Sequence, residues 1–381
     1  MTRQGILRFT LRLVIITVLL PALILVLVKA WRYLDYHAVG DRGIAQTDAV
    51  PIRGTTQTLF IRGHDRNKPL LLFLPGGPGE SFVPLAGEFS NELEQDFIVV
   101  HIETGGVGKS DDYVVAPTLD EMVQDTDALI DHLLAEFKRP ALYLVGHSFG
   151  SVLALKVAAR SPQKVLGVAT VGQAVDWREG NRTTHEHLMT LARSEGNTEV
   201  VAAIAALSPS LATTTDGRPM IDFAAVKQQR QWLEHFHIGN VLKQHTAKVR
   251  WFAYMTSPNH SIAESCELVY RGPCQWIANP RWWSQWKNVL PGVLEFNALR
   301  DVPRLAVPFV AIVGTDDWIT PKSLIHAYCD ALIAPQKRCI EIPEAQHYTF
   351  LDQPRAFQQA VRTLLVLKRD DSTSQSTPGH H

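Results

Sequence analysis

Two regions of the chain differ in the pattern of their apolar residues. From Leu13 to Val28, no charged residue interrupts a run made almost wholly of Leu, Ile and Val. From about Gln57 onward, short apolar runs bounded by Gly or Pro alternate with segments of helical periodicity. The first pattern is typical of a helix that crosses a membrane. The second predicts alternating strands and helices around a mostly parallel sheet.

The alternating region predicts seven strands and three long helices. The strands are Thr58–Ile61, Leu70–Leu74, Phe97–Ile102, Leu142–Val145, Leu166–Val171, Phe309–Val313 and Arg338–Ile342. The helices are Thr118–Phe137, Phe149–Arg160 and Lys322–Leu332. Because several of the strands are continuous apolar runs, we expect them to be buried on both faces of the sheet.

The alternation stops between about residues 172 and 300, where helical patterns and seven of the nine tryptophans occur. A helical insertion between two strands of one sheet is the simplest explanation. We therefore predict an α/β protein with a membrane anchor over residues 1–35, the first part of the core over 45–172, a helical cap over 173–300 and the second part of the core over 301–369. The segment 370–381, rich in Ser and Thr, is predicted to be disordered.

The N-terminal apolar run has three interpretations: an uncleaved anchor, a cleaved signal peptide, or a peripheral or core helix. The flanking basic residues are Arg3, Arg8 and Arg12 before the run and Lys29 and Arg32 after it. An anchor is favoured because Ala30 is the only small residue where a signal peptidase would cut. The positive-inside rule then predicts a single-pass membrane protein whose remaining chain, and so its catalytic domain, is extracytoplasmic. Trp31, Tyr33 and Tyr36 would form an interfacial aromatic belt.

Composition narrows the range of partners. The formal net charge is -1 and no strong basic or acidic block occurs, so we expect no nucleic-acid partner. The four cysteines form two close pairs, Cys266 with Cys274 and Cys329 with Cys339. Two short-range disulfides in an oxidising compartment would explain this grouping, and four reduced thiols are the alternative. Neither pair has CxxC spacing, so no metal site is predicted.

The strongest chemical signal is the segment Gly146-His147-Ser148-Phe149-Gly150. A predicted strand precedes it and a predicted helix follows it. That context is what GxSxG requires, because a sharp turn from strand to helix pushes the serine hydroxyl out of the sheet. Ser148 is therefore the predicted nucleophile, with a polar turn serine as the alternative.

A serine hydroxyl needs a base, and the base needs an orienting acid. In this arrangement the chain order is Ser, acid, His. Asp316 and Asp317 both follow the strand Phe309–Val313, and the spacing from the preceding glycine favours Asp317. His347 lies in the loop after the last predicted strand and is the predicted base.

The reaction also needs hydrogen-bond donors for a developing oxyanion. The glycine-rich segment Pro75–Gly79 follows the strand Leu70–Leu74. A turn of this kind can aim a backbone N–H at the site, together with the N–H of Phe149. We predict Gly77 as the loop donor, with Gly76 as the second choice and a simple tight turn as the alternative.

With these motifs, the chain from about residue 55 to 366 resembles the proline iminopeptidase-like branch of the α/β-hydrolases. That branch carries a His-Gly-Gly-Pro-Gly loop, matched here by Pro75-Gly76-Gly77-Pro78-Gly79. Its Asp-Gln-Arg-Gly-x-Gly-x-Ser segment is matched by Glu103-Thr104-Gly105-Gly106-Val107-Gly108-Lys109-Ser110. The resemblance implies an α/β-hydrolase fold with a helical cap and chemistry by Ser148, His347 and Asp317.

The departures from the family pattern concern specificity. Pro75 replaces the loop histidine, and Glu103-Thr104-Gly105 replaces the Asp-Gln-Arg triplet. In proline iminopeptidases, acidic residues of the cap bind the free amino group of the substrate. The acidic residues available here are Glu179, Glu186, Glu234, Glu264 and Glu267. None of them aligns clearly with the family, so the resemblance implies the triad chemistry and not the exopeptidase specificity.

The predicted function is that of a serine hydrolase that cleaves an ester or amide bond of a small molecule or short peptide through an acyl-enzyme. It needs no metal ion or organic cofactor. Three alternatives remain at this point: an aminopeptidase, a carboxylesterase or lipase, and a binding protein on a hydrolase fold without activity.

Overall fold

A sheet of eight strands organises the chain in the computed structural model, which describes residues 15–207, 211–213, 219–238, 247–271 and 280–374. In chain order its strands are β1 Ile44–Ile52, β2 Thr55–Gly63, β3 Leu70–Leu74, β4 Ile98–Glu103, β5 Leu142–His147 and β6 Val165–Val171, then β9 Phe309–Gly314 and β10 Lys337–Ile342. Two short strands between them, β7 Leu211–Thr213 and β8 Pro219–Ile221, pair only with each other.

The strand order in the large sheet is β1-β2-β4-β3-β5-β6-β9-β10. Strands β1 and β2 are antiparallel to their neighbours, and from β4 to β10 all neighbours are parallel. Every residue of β3, β4, β5 and β9 is buried. The predicted mostly parallel sheet with strands buried on both faces is therefore confirmed.

The helices have the following bounds. They are α1 Leu20–His37, α2 Ala86–Phe89, α3 Leu119–Glu136, α4 Phe149–Arg160, α5 Trp177–Glu195, α6 Thr198–Ala205, α7 Phe223–His235, α8 Ala247–Met255, α9 Ile262–Arg271, α10 Pro280–Trp286, α11 Val289–Glu295, α12 Ala298–Asp301, α13 Lys322–Ala331, α14 Thr349–Asp352 and α15 Pro354–Ser374. Thr118 begins α3 as a capping box with Glu121, which satisfies two backbone N–H groups that the helix leaves unpaired.

Two elements differ from the sequence prediction. Strand β1 was not predicted, because it is polar at Gln46, Thr47 and Asp48 and pairs with β2 alone at the edge of the sheet. The middle segment is not wholly helical, since β7 and β8 pair within it. Helix α15 continues to Ser374, and the disorder of 370–381 remains a prediction. Residues 375–381 lie outside the described part of the chain.

Helices α5 to α12 lie between β6 and β9, and we call this segment the cap. Its first helices have a small hydrophobic core of their own. That core consists of Leu188, Ala192, Val200, Ile204 and Leu233. Trp318, from the loop after β9, packs against it, so the cap contacts the sheet where the parallel strands end.

The N-terminal apolar segment forms one helical rod. A π-helical turn, Ile15–Leu19, continues directly into α1. The span Ile15–His37 has 23 residues and is long and apolar enough to cross a membrane. Its apolar face is exposed up to Leu27, whereas Lys29 and Arg32 contact the cap. The three arginines at positions 3, 8 and 12 lie outside the described residues.

The described cysteines do not form the disulfides that their spacing suggested. Cys329 of α13 and Cys339 of β10 are free thiols, and their side chains are hydrogen-bonded to each other. Cys266 is also free, and Cys274 lies outside the described residues. The described cysteines therefore match the alternative of reduced thiols.

Candidate active site

The turn between β5 and α4 holds Ser148 in an unusual backbone conformation. Its φ of 50° and ψ of −119° lie outside the regions that L-residues prefer. The Ser148 N–H donates to the carbonyl of Val171 at the end of β6, over 3.0 Å. A side chain at Gly150 would lie 2.2 Å from the carbonyl oxygen of Leu74. Glycine is therefore required there for the turn to pack against the end of β3.

Three side chains from three separate loops meet at this turn. Ser148 Oγ lies 3.0 Å from Nε2 of His347. Nδ1 of the same imidazole lies 2.9 Å from Oδ2 of Asp317. His347 and Asp317 are buried, while Ser148 is partly exposed. The predicted nucleophile, base and acid thus form one continuous hydrogen-bonded chain that ends at the accessible hydroxyl.

Asp317 is held as an anion by its donors. Oδ1 accepts the N–H groups of Ile319 and Thr320 over 2.8 and 2.9 Å, and Oδ2 accepts the Thr320 hydroxyl over 2.6 Å. Burial acts to raise the pKa of Asp317, but His347 and the Thr320 donors outweigh it and hold the pKa below its ordinary value. Of the two candidate acids, Asp317 and not Asp316 contacts the imidazole.

The loop that carries His347 is fixed by His147, the residue before Ser148. His147 is fully buried, and its Nε2–H donates to the backbone carbonyl of His347 over 3.1 Å. Desolvation, together with the nearby His347, holds the pKa of His147 well below its usual value, so the ring is neutral near pH 7. The neutral ring can pack and donate a hydrogen bond here without placing a charge beside His347.

The predicted oxyanion loop lies beside this turn. Leu74 at the end of β3 pairs in register with Gly146 at the end of β5, so the loops that follow the two strands are neighbours. Gly77 has a φ of 112°, which is the region that favours glycine. Phe149 is the first residue of α4, where backbone N–H groups have no acceptor within the helix. Both predicted donors therefore belong to the same edge of the sheet as Ser148.

Sequence reasoning missed several residues that shape the site. Thr320 donates to Asp317, and its hydroxyl is also 3.3 Å from Nδ1 of His347. Tyr348 donates its hydroxyl to Glu80 Oε1 over 2.7 Å, which ties the base loop to the glycine-rich loop. Both residues are adjacent to sequence motifs, but neither belongs to a pattern that would mark it.

The cap contacts the acid loop directly. The ring of His187 in α5 stacks on Trp318 with centroids 3.5 Å apart and planes 3° from parallel. Thr184 of the same helix donates its hydroxyl to the carbonyl of Trp318 over 2.8 Å. Trp318 directly follows Asp317, so the position of α5 is linked to the position of the acid. Within the described residues, no group of three or more His, Cys, Asp or Glu side chains converges as a metal site.

Comparison with known proteins supports the fold. The family model for the alpha/beta hydrolase fold matches residues 69–354. The Bacillus subtilis (strain 168) protein named "Probable aminopeptidase YbaC" is 28% identical over 319 residues, which cover 83% of this chain and 95% of that protein. A relationship at this level supports a hydrolase.

Two solved structures show the same fold. Proline iminopeptidase from Mycobacterium smegmatis superposes with a TM-score of 0.59 at 18% identity, covering 86% of this chain and 100% of that chain. A membrane phospholipase A, described as a bacterial virulence factor, superposes with a TM-score of 0.53 at 16% identity, covering 97% of this chain and 100% of that one. The extent of the family match and the layout of the sheet lead to one conclusion: this chain belongs to the α/β-hydrolase fold family.

Proposed function

We propose that the protein is a serine hydrolase that cleaves an ester or amide bond through an acyl-enzyme on Ser148. The observation that carries this proposal is the hydrogen-bonded chain of 3.0 Å from Ser148 to His347 and 2.9 Å from His347 to Asp317. A base within hydrogen-bond reach of the hydroxyl, itself oriented by a buried carboxylate, is the arrangement that activates a serine.

The proposed reaction proceeds through proton transfers to and from His347. Ser148 Oγ attacks the carbonyl carbon of the substrate as its proton moves to Nε2 of His347. The tetrahedral intermediate then collapses, and the leaving alcohol or amine takes that proton from the imidazolium. A water molecule then attacks the acyl ester as His347 takes one of its protons. The second tetrahedral intermediate collapses, the imidazolium returns the proton to Ser148 Oγ, and the carboxylic acid is released. Asp317 keeps Nδ1 protonated throughout and stabilises the imidazolium that forms twice in each cycle.

The negative charge of the intermediate needs fixed donors. We assign these to the backbone N–H groups of Phe149 and Gly77. Loss of one such donor typically costs about 2.7–4 kcal/mol in the transition state, so the conformation of the glycine-rich loop affects the rate in addition to the triad. No step requires a metal ion or an organic cofactor.

A fluorophosphonate probe tests this proposal, because it phosphonylates only an activated serine. Wild-type protein should be labelled, and Ser148→Ala should not be. Ser151→Ala would be a poor control, because Ser151 donates to the Ser148 carbonyl within the same turn. Ser194→Ala, at an exposed site on α5, is suitable and should label like the wild type. Equal labelling of wild type and Ser148→Ala would rule out Ser148 as the nucleophile.

An aminopeptidase is the second candidate for the reaction. It is favoured by the name of the Bacillus subtilis relative and by Glu80, a partly exposed carboxylate on the glycine-rich loop. A carboxylate there could pair with the free ammonium of a peptide substrate. Turnover of prolyl arylamides should then far exceed that of p-nitrophenyl esters, and Glu80→Gln should raise KM for the arylamides alone. The reverse preference, across esters of graded chain length, would identify a carboxylesterase or lipase.

The N-terminal helix is best explained as an uncleaved single-pass anchor with the catalytic domain on the extracytoplasmic side. The exposed apolar surface from Ile15 to Leu27 supports this proposal. So do the contacts of Lys29 with the carbonyls of Ser257 and His260, which cleavage after Ala30 would remove. We take Val28 as the end of the membrane-embedded part, because Lys29, the next residue, contacts the cap.

A further inference from the structure

Glu103 is a buried carboxylate that the proposed reaction does not use. It ends β4, and its side chain has no exposed surface. Its Oε1 accepts the Ser81 hydroxyl over 2.6 Å and lies 2.9 Å from Nε2 of His260. Its Oε2 accepts the backbone N–H of Lys109 over 2.8 Å. A carboxylate removed from water needs such partners, because an unpaired buried charge is strongly destabilising.

The loop after β4 is shaped to hold this particular carboxylate. A side chain at Gly108, whose φ is +54°, would lie 2.1 Å from Glu103 Oε2. The Ser110 hydroxyl donates to the backbone carbonyl of Glu103. The segment 103–110 is the one in which glutamate replaces the aspartate of similar sequences. The longer side chain reaches His260, a residue 157 positions away in the cap.

His260 is equally buried and has a partner on each ring nitrogen. Nε2 faces Glu103, and Nδ1 lies 3.0 Å from the hydroxyl of Ser257. When Nε2–H donates to the carboxylate, the Ser257 hydroxyl can donate to Nδ1, so both nitrogens are satisfied. His260 thereby joins the cap to the end of β4 through a contact from which water is excluded.

The same carboxylate also fixes the end of the glycine-rich loop. Ser81 lies two residues after Gly79, the end of the glycine-rich segment. Its hydroxyl and Nε2 of His260 both contact Oε1 of Glu103. The backbone carbonyl of Ser81 accepts the hydroxyl of Tyr254, from cap helix α8, over 3.0 Å. The core therefore holds Ser81 through its side chain, and the cap holds it through its backbone carbonyl. Gly77, the assigned oxyanion donor, is four positions earlier in the chain.

The N-terminal helix holds the other side of the same cap turn. Lys29 Nζ donates to the carbonyl of Ser257 over 2.5 Å and to the carbonyl of His260. Arg32 donates to the Thr256 hydroxyl over 2.7 Å. The turn 256–260 thus lies between α1 and the buried carboxylate of Glu103. A displacement of α1 would change the position of His260.

We propose that His260 is a positioning residue that aligns the cap with the glycine-rich loop through Glu103 and Ser81, and that Lys29 extends this alignment to the N-terminal helix. The proposal rests on the proposed function, because its effect is exerted on the oxyanion donor Gly77. It assigns to α1 a role in catalysis in addition to anchorage. Correct docking of α1 and the cap sets the loop conformation in which the donor faces the intermediate.

The test compares His260→Leu with His260→Gln in the full-length protein in detergent. The glutamine amide can still donate to Glu103, whereas leucine leaves the carboxylate without that donor. We expect His260→Leu to lower kcat about 10- to 100-fold with KM within about twofold of wild type, since a misplacement of about 1 Å can cost about 10²-fold in rate. His260→Gln should retain most of kcat. His235→Leu, which removes an exposed cap histidine 3.5 Å from Glu195, is the matched control and should behave like wild type.

A variant outside the buried pair keeps the proposal testable if His260→Leu fails to fold. Lys29→Met removes the donor to the cap turn, and Lys29→Arg retains one. Lys29→Met should lower kcat and the rate of fluorophosphonate labelling several-fold, while Lys29→Arg and the exposed-site control Lys227→Met should not. A folded His260→Leu or Lys29→Met protein with the labelling rate of wild type would overturn the proposal. Failure of the wild type to label would instead contradict the proposed function.

Discussion

The imidazole of His147 donates a hydrogen bond to the backbone carbonyl of His347, so the residue before Ser148 supports the loop that carries His347. The ring is packed edge-on against Phe82 and Phe350, and within the described residues its buried Nδ1 has no hydrogen-bond partner. This contact joins the ends of two strands that are not neighbours in the chain. It fixes the distance between hydroxyl and imidazole independently of the cap.

Substitution of His147 should therefore lower kcat, although we assign His147 no contact with the substrate. His147→Phe fills a similar volume but leaves the carbonyl of His347 without this donor. We expect kcat to fall about 10-fold or more, because small errors in the placement of a reacting group are costly. His147→Gln, whose amide can still donate, should retain more activity. Steady-state kinetics would contradict this account if His147→Phe had the kcat of wild type at an unchanged melting temperature.

The two adjacent aspartates provide a matched pair of variants. Asp317→Asn should lower kcat by roughly 10⁴-fold, because an amide no longer selects the imidazole tautomer that accepts the serine proton. Asp316→Asn should leave kcat within about twofold, since the imidazole is hydrogen-bonded to Asp317 and orienting effects act over hydrogen-bond distances. Equal losses in the two variants would mean that the acid has been misassigned.

The free energy of unfolding should depend on pH through the buried histidines His101 and His147. Desolvation lowers the pKa of His101 to about 3, and the pKa of His147 is also lowered. In the unfolded chain both protonate near pH 6.5, so the unfolded state binds more protons below that pH. Above about pH 6.5 the two histidines do not lower the free energy of unfolding. Below that pH the free energy of unfolding falls on acidification, by up to about 1.4 kcal/mol per pH unit for each histidine.

Denaturant unfolding between pH 7 and pH 4 tests this expectation. His101→Leu should reduce the dependence of the unfolding free energy on pH, because it removes one titrating group from the core. The Ser90 hydroxyl, which lies 3.1 Å from Nε2 of His101, keeps its bond to the carbonyl of Ala86 over 2.7 Å. His237→Asn, at an exposed turn, serves as the control. An unchanged slope in His101→Leu would show that His101 is not buried in its neutral form.

The membrane arrangement has its own test. A reporter active only in the periplasm, fused after residue 40, should be active in cells. The membrane fraction should contain a chain that still begins near residue 1, because Lys29 and Arg32 remain bonded to the cap. A mature chain that begins after Ala30 would identify a cleaved signal peptide, and an inactive reporter would reverse the orientation.

The sequence predicted the parts of the molecule that depend on local pattern. Leu70–Leu74 and Leu142–Val145 are continuous apolar runs because both faces of their strands are buried, and Ser148 stood out because strand, turn and helix follow one another directly. The edge strand β1 was missed because its solvent-facing residues are polar. The edge strand is recognisable only from its pairing with β2.

The remaining parts of the site depend on contacts between distant positions. The pair Glu103 and His260, and the bond from Tyr348 to Glu80, join residues 157 and 268 positions apart. No local periodicity encodes such pairs, because each partner alone resembles an ordinary surface residue. The departure of Glu103 from the family motif was the one visible sign that its environment differs.

The most direct test of the account is the detection of the acyl-enzyme. Wild-type protein mixed with an activated ester and quenched rapidly in acid should carry the acyl group on the peptide that contains Ser148. That adduct and the turnover should both disappear in Ser148→Ala. An acyl group on a different residue, or full turnover by Ser148→Ala, would contradict the account.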